Sequence, residues 1–268
     1  MPASAAFVAA VVWITFPFGN VFGPIVAVYL LSFWHYYFYF LAYCCSTVSL
    51  KVFKRDAIAM KTVSLGALGA AYFAAPPDIL SLAVVAGGFL LNIAAARALG
   101  PDRTYYGHEL AGLPPRRISA FPYSWIAHPM LLGNVAAFSG TLINDGFRAQ
   151  WWPLACLHVV MNLGLLVMET AVAPRPFVER RSLPQAADRR ERAWSIPRAA
   201  VFAVAGAAAG WAFLSRGPWN IGAASGAGLG ASVSLYAYVI YACYTSPRIP
   251  SIPIHRGAAE QVQAERSR

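Results

Sequence analysis

The sequence predicts an all-α, multi-pass transmembrane helical bundle of about seven helices. Three observations carry that expectation. The chain of 268 residues is 58% hydrophobic and only 12% charged, where a soluble globular domain carries about 25% charged residues. Residues 1–50 contain no Lys, Arg, Asp or Glu. The basic residues behind the formal charge of +10 gather in short gaps between apolar runs, the pattern of cytoplasmic loops beside anionic headgroups. That distribution argues against nucleic acid as a partner. Cys44, Cys45, Cys156 and Cys243 lie in or beside apolar runs. With no Cys-x-x-Cys spacing and no His partner, they read as packed membrane residues, not as disulfides or metal ligands.

Ala5 to Tyr43 is too long for one span, which needs about 20 residues, and Pro17, Gly19, Asn20, Gly23 and Pro24 interrupt it. Two arrangements fit. One is a short or re-entrant first helix followed by a span over Ile25 to Cys45. The other is a single tilted helix followed by an interfacial aromatic segment, Ser32 to Phe40. With no basic leader, this stretch reads as a span and not as a cleaved signal. Lys51, Lys54, Arg55 and Lys61 mark a cytoplasmic edge. Ile58 to Ala75 is the next span, ended by Pro76 and Pro77, and Ile79 to Ala98 follows, closing on Arg97. After the polar 99–121 segment comes a span over Pro122 to Ile143, with Pro at the first turn. Asn144 to Gln150 is a connection and Trp151 to Thr170 a span.

Residues 171–198 carry Arg175, Arg180, Arg181, Arg189, Arg190, Arg192 and Arg198 and read as a solvated, lipid-facing loop. The last spans are Ala199 to Leu214 and Ile221 to Tyr241. Their Gly206 and Gly210, and Gly222, Gly226 and Gly230, recur at four-residue spacing, which lets membrane helices approach closely. The tail is expected to be disordered. The organisation is thus a 1–170 membrane core, a 171–198 basic loop, a 199–243 helix pair and a 244–268 tail.

Ala98 to Gly133 gathers Arg103, His108, Glu109 and His128 at one membrane surface, where ionisable residues point to function. The cytoplasmic ends of the 79–98, 122–143 and 151–170 helices meet there. His128 is expected about 9 Å below the start of its helix, just ahead of a kink at Pro129. A cavity beneath the cytoplasmic surface follows, because freed backbone groups at that depth need protein or a cavity to satisfy them. Arg116 and Arg117 read as topology determinants, and His35 and His158 as structural residues in aromatic or apolar surroundings.

Several motifs in this stretch resemble a known family. Ala98-Leu99-Gly100, Thr104-Tyr105-Tyr106-Gly107, Phe121-Pro122-Tyr123 and His128-Pro129-Met130-x-x-Gly133 are similar to the phospholipid N-methyltransferases. Phe7-Val8-Ala9-Ala10-Val11 and Ile14-Thr15-Phe16 resemble that family's first helix, so the resemblance covers roughly residues 7–170. His128-Pro129 matches the related isoprenylcysteine carboxyl methyltransferases, where many phospholipid enzymes have Asn-Pro. The resemblance implies S-adenosylmethionine as methyl donor and a membrane phospholipid as acceptor. It implies an integral membrane protein of the endoplasmic reticulum, or of the inner membrane in a bacterium.

The family's donor-binding Gly-x-Gly falls on Ala86-Gly87-Gly88, and its Glu-Glu pair on Glu169-Thr170. The donor-binding positions implied are Gly87, Gly88, Arg103, Gly107 and Glu169. Arg103 suits the donor's carboxylate, and Glu169 its ammonium or a ribose hydroxyl. The acceptor amine must lose a proton before it attacks. His128, His108 and Glu109 are the candidate bases, and histidine is favoured because it titrates near neutrality. Tyr105, Tyr106, Tyr123 or Trp125 can face the cation that forms. The expected reaction is methylation of phosphatidylethanolamine or its methylated derivatives towards phosphatidylcholine. Carboxyl methylation of a prenylated cysteine is the second reading, and a catalytically silent membrane scaffold the third.

Overall fold

The computed structural model describes residues 3–45, 49–114, 118–171, 201, 203–214 and 222–245. Among these residues every regular element is helical and none is a strand. Residues 172–200 and 246–268, which hold most of the basic loop and tail, lie outside them, as do Arg116 and Arg117.

Of the two N-terminal arrangements, the structure has the short first helix followed by a long second one, which begins at Gly19 and runs through Pro24 instead of starting at Ile25. Helix α1 (Ala3–Thr15) and helix α2 (Gly19–Cys45) are joined by a 3-10 turn, Phe16–Phe18. Gly23 permits this hairpin, because a Cβ there would collide with the carbonyl of Thr15. Helix α3 (Leu50–Phe73) starts at Ser49, whose hydroxyl accepts from Val52 N at 3.5 Å. This cap places the start well ahead of Ile58, so Lys51, Lys54 and Arg55 stand on helix and not in a loop. Helix α4 (Ile79–Leu99) matches the expected span. Asp78 caps it by accepting from Ser81 N at 2.7 Å, and Gly100, at φ 84°, turns the chain out of it. Two short helices follow, α5 (Pro101–Thr104) and α6 (Gly107–Ala111).

Helix α7 (Pro129–Gly140) corrects the expected span over Pro122 to Ile143. A residue before proline is pushed out of the helical region, and His128 has φ −127° and ψ 64°. The helix therefore begins at Pro129, where a missing N–H costs nothing. His128 is the capping residue, not a residue inside the helix, and Pro129 starts the helix instead of kinking it. A 3-10 turn, Thr141–Ile143, ends the crossing. Helix α8 (Asp145–Ala171) starts ahead of Trp151 because Asn144 accepts from Phe147 N at 3.1 Å. The same side chain donates to Pro76 O at 2.9 Å, so the expected connection over Asn144 to Gln150 is a helix start pinned to the α3–α4 turn. Helix α9, over 203–209, runs into a π-helical turn, Gly210–Leu214, and helix α10 (Ala223–Thr245) closes the described chain.

Close backbone contacts hold the bundle. A Cβ on Gly88 of α4 would lie 2.5 Å from both Ala137 N and Gly133 O of α7. Farther along, Tyr72 OH donates to Ser81 Oγ and Ser81 Oγ to Gly140 O, each at 2.8 Å, tying α3, α4 and α7. Gly206 and Gly210 of the α9 crossing press on Gly226 and Gly230 of α10, the contact that small residues at that spacing allow. Helix α10 lies on α2, where Gly228 meets the Tyr29 ring and Tyr37 OH donates to Ser232 O at 2.6 Å.

Two described helices are long and apolar enough to cross a membrane, over Ile79–Leu99 and Asp145–Thr170. The outer face of α4 exposes Ile79, Leu80 and Leu90 by 86%, 62% and 64%. Water penalises such a face and lipid does not, so the fold is that of a membrane protein.

Candidate active site

The ends of α4 and α8 and the start of α7 meet at one end of the bundle. Beneath them lies a cavity of about 420 Å³, within the range of small-molecule sites. Helices α2 and α3 complete its wall, with His35, Tyr36 and Tyr39 from the first and Lys61 from the second.

The inner wall is a chain of amides. Asn92 Nδ2 donates to Met130 O at 3.0 Å and to Asn134 Oδ1 at 2.9 Å. Asn134 Nδ2 donates to Asn162 Oδ1 at 2.9 Å. Asn162 Nδ2 donates to Tyr36 OH and to His158 O, each at 2.8 Å, and Tyr36 OH meets His158 Nδ1 at 2.9 Å. One amide from each of α4, α7 and α8 is thereby joined to α2. Linked polar groups of this kind rigidify the interior they cross. His158 is fully buried and stacks on Phe138, with ring centroids 4.3 Å apart.

The outer rim carries the charge. Glu169, in the last turn of α8, lines the cavity and accepts from Tyr106 OH at 3.2 Å. Its other oxygen lies 3.9 Å from His128 Nδ1, within ion-pair range and beyond hydrogen-bond range. Burial, and after it the Glu169 carboxylate, raise the Tyr123 phenol above its ordinary pKa. Burial raises the Tyr105 phenol too, against a hydrogen bond from Tyr39 and the Lys54 ammonium, which pull it down. Both are neutral hydroxyls at neutral pH.

The structure therefore brings His128 and Glu169 together, 41 positions apart in the sequence (169 − 128). Of the expected site residues Glu169, Tyr105 and Tyr106 line the cavity, and His128 reaches it only through Glu169; Arg103, His108, Gly107, Gly87 and Gly88 stand off the wall. Arg103 Nη2 donates to Pro114 O at 3.2 Å. His108 is exposed, with Nδ1 2.7 Å from Leu113 O. Gly107 lets two backbones cross, since a Cβ there would lie 2.6 Å from Asp102 O. Gly88 serves the α4–α7 contact, and Gly87 faces open space. The Glu109 side chain lies outside the described residues.

Sequence reasoning missed Asn92, Asn134, Asn162 and Tyr36, and it counted His35 as structural and Lys61 as an edge marker. A signal was present. Each asparagine stands within an apolar run, and polar residues inside a membrane face the bundle interior.

No curated protein and no solved structure matches the chain. The stretch from the cap of α4 through α8 and beyond, residues 78–180, matches the family model for phospholipid methyltransferase, the family to which the His-Pro-Met motif bears its resemblance. The segments around Phe7 and Ile14 lie outside that match, and the rim that holds His128 and Glu169 lies within it.

Proposed function

We propose that the cavity binds S-adenosylmethionine and that the chain methylates the amine headgroup of phosphatidylethanolamine or its methylated derivatives. The observation that carries this reading is the meeting of His128 with Glu169, which lines a ligand-sized cavity, inside a stretch that matches a methyltransferase family. The lining fits the donor's parts. It offers a carboxylate, two cations, four phenols and three amides to a ligand that carries an ammonium, a carboxylate and an adenosine. When bound, the donor supplies an electrophilic methyl group on a sulfonium.

The chain's own residues do the rest. Glu169 holds a cation at the rim, where Tyr106 fixes one of its oxygens. His128, half-exposed beside Glu169, accepts the proton that the lipid ammonium must lose. Phenol faces of Tyr105 and Tyr106 line the path and favour positive charge as it passes to nitrogen. Exposed Phe121 and Trp125, with ring centroids 5.8 Å apart, suit a headgroup-level anchor beside the entry. The membrane would be that of the endoplasmic reticulum, or the inner membrane in a bacterium.

Purified protein given isotope-labelled donor and ethanolamine phospholipid should yield methylated lipid. No methylated lipid at saturating donor would overturn the reading. The His128-Pro129 pair favours one competitor, carboxyl methylation of a prenylated cysteine. Product from that acceptor in place of the lipid would establish it, and absence of donor binding would leave a scaffold.

A further inference from the structure

Two cations line the cavity, Lys61 of α3 and Arg97 of α4. Among the described residues neither has a carboxylate within ion-pair distance. Their settings differ. Arg97 is exposed in the last turn of α4, where water solvates it. Lys61 is partly buried. It lies seven residues beyond Lys54 (61 − 54), hence about 10 Å farther along the helix. Lys54 marks the rim, because it pairs with Asp102 of α5 at 2.8 Å. An ammonium drawn inward without a counter-ion is costly, and more so within a membrane bundle. His35, Tyr36, Tyr39, Asn92 and Asn162 share its wall, and none of them is an acid. Glu169, the acid of the lining, stands at the rim with Tyr106.

Arg103, the residue expected to take the donor's carboxylate, is off the wall and bonded to Pro114 O. We propose that Lys61 binds the carboxylate of the methyl donor at the inner end of the cavity. This rests on the S-adenosylmethionine reading above. A lipid phosphate is the other anion at hand, but its acyl chains hold it at headgroup level, whereas the Lys61 backbone stands two helical turns, about 10 Å, beyond Lys54 along α3. Lys61 also lies outside residues 78–180, so a helix beyond the family match supplies the anion-binding group.

The test is titration calorimetry of the full chain in lipid nanodiscs. The two ligands are S-adenosylhomocysteine and its decarboxylated analogue. Wild type should prefer the carboxylated ligand. Lys61→Met should weaken that ligand about tenfold or more and leave the decarboxylated one unchanged, and Lys61→Arg should recover most of the loss. Equal weakening of both ligands, or of neither, overturns the assignment. A raised KM for lipid with unchanged S-adenosylhomocysteine affinity gives Lys61 to the lipid phosphate and also overturns it. Should Lys61→Met not fold, wild type decides, since equal affinity for the two ligands sinks the proposal. If neither ligand binds wild type, the donor reading itself fails, an outcome distinct from all the others.

Discussion

The α4–α7 and α9–α10 contacts use the same device to different ends. In each, glycines remove the side chains that would keep two helices apart, and backbones meet. At α4–α7 polar side chains follow the glycines. Asn92 stands one turn after Gly88, and Asn134 directly follows Gly133. Close approach brings the two amides to 2.9 Å and starts the chain that reaches Asn162 and Tyr36. The described part of α9–α10 holds no Lys, Arg, Asp or Glu, and its glycines serve packing. Small residues thus decide how near two membrane helices come. The polar groups placed beside them decide whether the contact becomes the wall of a site.

Four substitutions test that contrast. The largest effect is expected at Glu169, which acts at the rim and carries little packing. Glu169→Gln should lower kcat/KM for methyl transfer about a hundredfold, the size of a lost charge in proton-transfer chemistry. Its thermal unfolding should stay close to wild type. Loss of folding together with activity would make Glu169 a structural residue. Next come Gly88→Val and Gly230→Val. Each forces a side chain into backbone and should destabilise by about 1–3 kcal/mol. Only Gly88→Val should also weaken S-adenosylhomocysteine binding to the folded protein, because it forces apart the helices that carry Asn92 and Asn134 on the cavity wall. An equal loss in Gly230→Val would erase the distinction between the two contacts. The smallest effect belongs to Asn162→Leu, which takes away the acceptor of Asn134 and the donor to Tyr36. Denaturant unfolding should show a loss of about 1–2 kcal/mol, and an unchanged midpoint would mean that the amide chain carries no stability.

Much of the helical layout was legible because apolar run length and proline position are local signals. Ile79–Leu99 shows it best, bracketed by Asp78 and Gly100. The starts of α3, α7 and α8 were not, because capping side chains decide them. Ser49 and Asn144 extend two helices backward, and the backbone of His128 delays a third. Within the site, His128 and Glu169 could be picked out by residue type and motif. Lys61 and the three asparagines could not be joined to them, because they come from helices whose rotation about their own axes the sequence leaves open.

By itself the sequence determined that this chain is helical, apolar and charged at short intervals, since hydropathy and proline act residue by residue along the chain. Tertiary structure decided which polar side chains share one cavity. That depends on the angle and depth at which α2, α3, α4, α7 and α8 meet, and close packing of glycine against backbone sets both only once the helices are together.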